Sequence, residues 1–209
     1  MHERFSLFHS HIDLAHKHWK SLVRPGDTVI DATCGNGHDT LFLAGLALTP
    51  KTGSLYALDL QPIAIESCRE LLLNNLPRDV FEKIHFIEGC HSILPKGILP
   101  ESTKLIAYNL GYLPGGDKTK TTRAKTTLKS LRQAQVIIQA GGVISVTCYP
   151  GHPEGKEEEK AILEYAETLD PKRWSCCHHS WINRKKAPSL LFIQKRLPTH
   201  SHNSTIALD

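Results

Sequence analysis

Three aspartates surround a glycine-rich turn near the start of the chain. Asp31 ends the apolar run of residues 28–30, which is typical of a buried parallel strand, and Asp39 follows the turn at residues 35–37. Asp59 ends a second apolar run about 20 residues further on, where an acidic residue holds ribose hydroxyls in doubly wound sheets. Because glycines let a backbone approach a ligand closely, these residues predict a site for a cofactor that contains a ribose.

The spacing of the turn discriminates between two kinds of cofactor. The NAD fingerprint G-x-G-x-x-G places a pyrophosphate on a helix N-terminus, but Thr40 stands here at the third glycine. Asp31 and Asp39 would also repel a pyrophosphate, whereas they suit a cationic ligand with an amino-acid end, which is S-adenosylmethionine. The run D-A-T-C-G-N-G at residues 31–37 resembles motif I of class I methyltransferases. The alternative is a glycine turn that binds no ligand.

The expected cofactor site extends from this turn to the ends of the following strands. Asp39 and Thr40 are also placed to cap the helix that begins at about His38. In the methyltransferase fold, residues after the third strand commonly contact adenine, although a solvated turn is an equal alternative for Cys90 and for His91. The predicted cofactor-binding residues are Asp31, Thr33, Cys34, Gly35, Asn36, Gly37, Asp39, Thr40, Asp59, Leu60, Gln61, Cys90, His91 and Asn109.

A second informative stretch, N-L-G-Y-L-P-G-G-D-K at residues 109–118, follows the fourth predicted strand. Methyltransferases that act on amino groups often carry [N/D]-P-P-[Y/F] there, which Asn109 and Tyr112 resemble with both prolines replaced. An amide oxygen can orient an amine, and an aromatic ring can stack on the acceptor. Because only a neutral amine can attack, a proton acceptor is needed, and His152 and Asp117 are the candidates. The alternative is a Gly/Pro loop with a core tyrosine.

Basic residues follow this loop directly, in the run Lys118 to Lys125 and then at Lys129 and Arg132. Phosphate contact and a solvated helix face explain such a run equally well. The predicted catalytic residues are Asn109, Tyr112, His152 and Asp117. The predicted substrate-binding residues are Tyr112, Gly115, Gly116, Lys118, Lys120, Arg123, Tyr149, His152 and Lys156.

Composition indicates an ordinary soluble globular protein. The chain has 209 residues, of which 40% are hydrophobic and 22% charged, enough for one domain with a substantial core. The net charge of +4 permits nucleic-acid binding without requiring it. The sequence predicts no transmembrane segment and no signal peptide. Its six cysteines form no C-x-x-C pair, which predicts reduced thiols and a cytoplasmic protein.

Two histidine-rich segments could suggest a metal site, but neither predicts one. No cysteine or carboxylate pattern joins the histidines near the N-terminus, so these are interpreted as polar surface residues. Residues 176–179 lie in a predicted strand, where neighbouring side chains point to opposite faces and cannot all bind one ion. The N-terminal histidines are His2, His9, His11, His16 and His18, and the strand carries Cys176, Cys177, His178 and His179.

The predicted elements alternate between helix and strand, as in α/β proteins. The expected fold is that of a class I S-adenosylmethionine-dependent methyltransferase, a Rossmann-like, mostly parallel seven-stranded sheet with an antiparallel last strand. That last strand should close the sheet beside the one before it. Residues 1–196 should form a single domain with a helical lead-in at 1–25, and 197–209 a disordered tail. The predicted helices cover residues 9–23 and 62–75, a segment that begins at 38, a segment that follows the basic run, and a segment that ends at about 169. The predicted strands cover residues 28–31, 54–59, 84–88, 104–109, 142–148, 174–182 and 189–195.

Four segments together carry a resemblance to a known family. They are D-A-T-C-G-N-G-H-D-T at 31–40, Y-A-L-D-L-Q at 56–61, N-L-G-Y-L-P-G-G-D-K at 109–118 with T-T at 121–122, and Y-P-G-H-P-E-G-K-E-E at 149–158. They resemble the YtqB-like rRNA methylase family, which is associated with the MnmM tRNA methyltransferases. The resemblance implies methylation of the aminomethyl group of 5-aminomethyl-(2-thio)uridine at wobble position 34, in the anticodon stem-loop of tRNA.

Other functions compatible with this sequence remain open. A methyltransferase of the same fold could act on rRNA or on the amine of a small molecule or protein. An RNA-binding protein with a vestigial cofactor fold is a third possibility, which intact Asp31, Gly35, Gly37 and Asp59 argue against. The sequence also leaves a homodimer open.

Overall fold

The computed structural model describes residues 10–112 and 121–198 of the chain. Its helices are α1 (His11–Leu22), α2 (His38–Ala47), α3 (Pro62–Asn75), α4 (Arg78–Phe81), α5 (Ala124–Ile137) and α6 (Pro153–Glu167). Its strands are β1 (Thr28–Asp31), β2 (Ser54–Asp59), β3 (Ile84–Glu88), β4 (Thr103–Asn109), β5 (Ile138–Cys148), β6 (Trp174–His179) and β7 (Ser189–Lys195). No described helix is long and apolar enough to cross a membrane.

The strands form one sheet in the order β3-β2-β1-β4-β5-β7-β6. The pairs β1–β2, β1–β4, β2–β3 and β4–β5 are parallel, and β7 is antiparallel to both of its neighbours. This confirms the predicted sheet and its antiparallel last strand. The prediction that the last strand closes the sheet is wrong, because β7 lies between β5 and β6 and β6 forms the edge.

Apolar residues of the sheet pack into two layers, one on each face. In β1, the fully buried Val29 and Ile30 belong to opposite layers, as alternation along a strand requires. The first layer receives side chains of α1, α2 and α3, among them Trp19, and the second receives those of α5 and α6, among them Leu131. Burial of these side chains on both faces explains why the parallel strands are apolar runs.

Helix α1 contacts α2, β5 and β7. Ser10 begins it as the N-cap, because its hydroxyl accepts the backbone N–H of Asp13 at 3.1 Å. Ala15 and Trp19 bury the inner face of the helix against the sheet. This packing fixes the rotation of α1 and therefore the direction of its histidines.

The chain order reverses between β1 and β4, which are neighbours in the sheet. At such a switch point the loops leave in opposite directions and open a crevice at the carboxyl ends of the strands. Asp31 ends β1, Asp59 ends β2 and Asn109 ends β4. The fold therefore brings these three predicted residues to one edge of the sheet.

Candidate active site

The turn between β1 and α2 is tightly packed on α3. Gly37 is the N-cap of α2 with φ of 87°, and an added Cβ would lie 2.9 Å from the Cα of Cys68. Both the left-handed backbone and the close approach require glycine at this position. The prediction that Asp39 and Thr40 cap α2 is wrong, since no side chain caps this helix and both side chains bond elsewhere.

Asp31 lies below the turn and is only 2% exposed. Its carboxylate accepts the hydroxyl of Thr40 at 2.6 Å and the backbone N–H of Thr33 at 3.2 Å. Burial, followed by the nearby charge of Asp39, raises the pKa of Asp31 to about 7, and Asp59 contributes in the same direction. A cation bound at this turn would relieve the repulsion among the three carboxylates.

Asp59 supports the turn from β2. Its Oδ2 accepts the backbone N–H of Gly35 at 3.0 Å, and its Oδ1 accepts that of Gln61 at 2.9 Å. Burial raises the pKa of this carboxyl. A carboxylate can accept more hydrogen bonds than these backbone donors use, which suits the hydroxyls of a ribose. Two further predicted cofactor-binding residues, Asn36 and Leu60, directly follow Gly35 and Asp59 in the chain, and both are exposed.

At the end of β4, Asn109 holds a polar atom without a partner. Its backbone N–H donates to the hydroxyl of Thr33 at 2.7 Å, and its Nδ2 donates to Oδ2 of Asp39 at 3.5 Å. Its Oδ1 is buried and has no hydrogen-bond partner among residues 10–112 and 121–198. Because a buried acceptor without a donor is unfavourable, this oxygen marks a place for an N–H or O–H group of a ligand.

Two histidines of α1 reach this site, which the sequence did not predict. His16 lies with Nε2 2.7 Å from Oδ1 of Asp39 and stacks on Phe42 at 3.9 Å. His11 lies with Nε2 3.1 Å from the hydroxyl of Tyr149, and burial raises the pKa of Tyr149 to about 12. The interpretation of His11 and His16 as polar surface residues is therefore wrong.

A local signal for His16 exists in the sequence. It follows Ala15 directly and precedes Trp19 by three positions, so it lies at the border of the buried helix face. The identity of its partner depends on how α1 docks, which the sequence pattern does not contain.

Three residues after Asn109, Tyr112 is 42% exposed and pairs with Thr121 in an isolated bridge. Its exposure rules out the core-tyrosine alternative. The ring of His152 lies 5.9 Å from that of Tyr112. His152 is the N-cap of α6, where its Nδ1 lies 3.2 Å from both the backbone N of Gly155 and Oε2 of Glu154.

His152 can satisfy only one of these two contacts at a time when it is neutral. Nδ1 either accepts from Gly155 or, as Nδ1–H, donates to Glu154. In the second tautomer Nε2 has a free lone pair, and this atom is buried without a partner in the described part of the chain. That tautomer suits a proton acceptor.

Cys90 and His91, the two predicted residues that follow β3, differ in burial. His91 is 7% exposed, and burial lowers its pKa to about 4, so the ring is neutral at physiological pH. Its Nε2 lies 3.1 Å from the hydroxyl of Thr127. Cys90 is half-buried. The solvated-turn alternative is therefore wrong for His91.

Several predicted residues cannot be compared with the structure or lie apart from the crevice. Asp117, Gly115, Gly116, Lys118 and Lys120 fall outside the described residues. Arg123 precedes α5 as its N-cap, and Lys156 lies in the first turns of α6, both exposed. Within the described ranges, no group of three or more His, Cys, Asp or Glu side chains could hold a metal ion, and all six cysteines are free thiols.

These residues fit S-adenosylmethionine by the chemistry of their donor set. Asp31 and Asp39 offer negative charge at the turn, Asp59 offers acceptors, and Asn109, with its unpartnered Oδ1, ends a strand at the same edge of the sheet. Together with the sheet topology, they define a class I S-adenosylmethionine-dependent methyltransferase.

Comparison with known proteins identifies the family. Residues 55–195 match the family model described as "Putative rRNA methylase". The chain is 40% identical over 189 residues to a chloroplastic tRNA (mnm(5)s(2)U34)-methyltransferase of Arabidopsis thaliana, covering 88% of this chain and 69% of that protein. The chain belongs to this rRNA methylase family, which confirms the resemblance found in the sequence.

Two solved structures agree with this assignment. A "putative rRNA-methylase" from Clostridium thermocellum has 34% identity and a TM-score of 0.83, covering 90% of this chain and 98% of that one. A "putative methyltransferase" from Streptococcus mutans, solved in complex with SAH, has 28% identity and a TM-score of 0.77, covering 90% and 99%. The cofactor of this class of enzyme is S-adenosylmethionine, as predicted.

Proposed function

We propose that this protein methylates tRNA at wobble position 34, on the aminomethyl nitrogen of 5-aminomethyl-(2-thio)uridine. The observation that carries the proposal is the buried, unpartnered Oδ1 of Asn109 at the carboxyl end of β4. An acceptor in this position suits a substrate group that carries N–H bonds. The relative from Arabidopsis thaliana is a tRNA (mnm(5)s(2)U34)-methyltransferase, which supports the same nucleoside.

The residues predicted to hold the cofactor are those around the motif I turn. Bound S-adenosylmethionine supplies an electrophilic methyl group on a sulfonium. Asp31 and Asp39 carry charge that suits its cationic part, Asp59 suits the ribose, and His91 lies where the adenine is expected.

Asn109 orients the amine, and its own orientation is fixed by neighbours. Because Nδ2 donates to Asp39, the amide cannot turn its oxygen toward that carboxylate without placing two acceptors face to face. His16 holds the other oxygen of Asp39 at 2.7 Å. The contact between α1 and α2 therefore directs Oδ1 of Asn109 toward the substrate and aligns the nitrogen lone pair for attack.

His152 is the proposed proton acceptor. An alkylammonium has no lone pair, so the amine must lose a proton before or during the transfer. In the Nδ1–H···Glu154 tautomer the lone pair of Nε2 can take this proton, and the ring of Tyr112, a neighbour of His152, is proposed to pack on the uracil. Asp117, the second candidate for this role, lies outside the described residues.

The polyanionic part of the substrate requires a basic surface near the crevice. Arg123 and Lys156 are exposed at the starts of α5 and α6, and Arg123 directly follows Thr122, whose hydroxyl accepts the backbone N–H of Gly111. We propose that both side chains contact phosphates of the tRNA, and that the anticodon stem-loop is the part of tRNA bound.

Nucleoside mass spectrometry of methylated tRNA tests this function. Purified protein is incubated with isotope-labelled S-adenosylmethionine and tRNA that carries 5-aminomethyl-2-thiouridine. We expect the label only in the 5-methylaminomethyl form of that nucleoside. Unmodified tRNA transcript and ribosomal RNA serve as matched substrates without the amine.

Label in an rRNA nucleoside, or in tRNA that lacks the aminomethyl group, would contradict the proposal and favour another substrate. The same nucleoside should accumulate unmethylated in a strain that lacks this protein. A cytoplasmic location, a homodimer and a single domain over residues 1–196 stay predictions, for fractionation, light scattering and limited proteolysis respectively.

A further inference from the structure

A buried carboxylate in α6 has no part in the function described so far. Glu158 is 2% exposed, and burial raises its pKa. Its Oε2 accepts the hydroxyl of Thr122 at 2.6 Å, and its Oε1 accepts the hydroxyl of Thr127 at 2.6 Å. No Lys or Arg of the described residues forms an ion pair with Glu158. Its carboxylate is instead held by two short hydrogen bonds from threonine hydroxyls.

The positions of the protons follow from the chemistry of the carboxylate. In its ionised form Glu158 only accepts hydrogen bonds, so in that form each threonine donates its single hydroxyl proton to Glu158. The oxygen of Thr122 must then act as an acceptor, and it receives the backbone N–H of Gly111 at 2.8 Å. The oxygen of Thr127 must likewise accept, and its partner 3.1 Å away is Nε2 of His91.

One arm of this network ends at Gly111, in the loop that follows β4. Gly111 lies between Asn109 and Tyr112 and has φ of 118°, a conformation that favours glycine. Its N–H donates to the hydroxyl of Thr122, and its carbonyl accepts the backbone N–H of Thr122 at 3.0 Å. The loop that follows β4 is therefore held at both polar groups of Gly111.

The other arm ends in the predicted adenine pocket. Because Thr127 cannot donate to His91, the imidazole must carry its proton on Nε2. The ring is neutral, so Nδ1 holds a lone pair. A neutral ring with an acceptor at Nδ1 suits an amino group such as the exocyclic amine of adenine.

We propose that Glu158 is a positioning residue that sets both ends of the active site. Through Thr122 it fixes the loop that orients the substrate amine, and through Thr127 it fixes the tautomer of His91 that faces the cofactor. This inference rests on the proposed function in assigning the loop to the amine and His91 to the adenine.

The two arms can be cut separately, because each depends on one threonine hydroxyl. Thr122→Val should lower the single-turnover rate at saturating cofactor about tenfold and leave the Kd for S-adenosylhomocysteine within about twofold. Thr127→Val should raise that Kd about tenfold and leave the single-turnover rate within about twofold. Thr126→Val is the matched control, since the hydroxyl of Thr126 donates only to the backbone carbonyl of Arg123.

Nitrogen NMR of the histidine rings provides a readout that does not depend on turnover. The spectrum should show His91 as the Nε2–H tautomer, assigned by comparison with His91→Gln. Thr127→Val should mix the two tautomers of His91, and Thr122→Val should leave them unchanged. If Thr122→Val does not fold, Thr122→Ser, which keeps the hydroxyl, should restore the rate, and Thr122→Ala should reproduce the loss.

A wild-type His91 protonated on Nδ1 would overturn the proposal. So would valine variants that lose thermal stability, cofactor affinity and rate in the same proportion, because they would show a purely structural role. The NMR and Kd measurements use no RNA. A failure of the tRNA assignment would therefore change the labelled nucleoside and leave these two results intact.

Discussion

The buried carboxyl of Asp31 makes the stability of the cofactor-free protein depend on pH. Replacement by asparagine, Asp31→Asn, keeps the size of the side chain and removes its ionisation. The amide oxygen can still accept the hydroxyl of Thr40, but the amide NH₂ would then face the backbone N–H of Thr33. We therefore expect one lost hydrogen bond, which costs about 1–3 kcal/mol at every pH.

The pH-dependent part follows from the shift of the pKa from 3.8 to about 7. Since the native carboxyl holds its proton after the unfolded one has released it, stability falls as pH rises from about 4 to 7. At about 1.4 kcal/mol per pKa unit, the raised pKa of Asp31 costs about 4 kcal/mol at pH 8, where the native carboxyl is ionised, and about 1.5 kcal/mol at pH 5, where it is still protonated. Because asparagine does not ionise, this pH-dependent cost applies only to the wild type.

Urea unfolding of both proteins at pH 5 and pH 8, without cofactor, measures the effect. The free energy of unfolding of Asp31→Asn relative to the wild type should rise by about 3 kcal/mol between the two pH values. At pH 8 the variant should equal or exceed the wild type in stability. Asp170→Asn is the control, because Asp170 is exposed and its carboxylate also accepts one backbone N–H.

An equal difference between the two proteins at pH 5 and pH 8 would refute this reasoning. It would mean that Asp31 is ionised in the folded protein across this range at no cost in stability. Groups other than those in contact with Asp31 would then offset the effect of burial on its pKa. A pH dependence of the same size in Asp170→Asn would refute the assignment to Asp31.

Three further experiments test the remaining site assignments. Asp59→Ala should weaken cofactor binding by about 1–3 kcal/mol in calorimetry, and unchanged affinity in a folded variant would remove its role. Asn109→Ala should lower turnover far more than cofactor affinity, with partial rescue by Asn109→Asp, and near-normal turnover on aminomethyluridine tRNA would defeat the orienting role. Arg123→Glu with Lys156→Glu should flatten the log–log salt dependence of tRNA binding by about 0.7–0.9 per lost contact, whereas an unchanged slope would indicate solvated helix ends.

Most of the fold could be predicted from local patterns. The bounds of α3, β3 and β7 agree with the prediction because a proline, a glycine or a polar turn limits each apolar run. Asp31, Asp59 and Asn109 could be placed at one edge because each ends a parallel strand, and the carboxyl ends of such strands meet. These inferences need only the sequence near each residue.

The parts that were wrong depend on contacts between distant segments. Thr40 and Asp39 were expected to cap α2, but they bond to Asp31 and to His16, which comes from α1. The burial of His91 likewise depends on the packing of α5, which brings Thr127 into contact with the imidazole. Polar side chains have several possible partners, and the choice among them is made by tertiary packing.

The position of β7 in the sheet has a consequence for how the chain folds. β7 leaves the ribosome after β6, yet it separates β6 from the rest of the sheet. β6 therefore has no strand to pair with until β7 has been made. Closing the short connection at residues 180–188 costs less chain entropy than closing the much longer one between β5 and β7. The β6–β7 hairpin should consequently form first and dock on β5 as a unit, so that the nascent chain exposes the edge of β5 until β7 has been made.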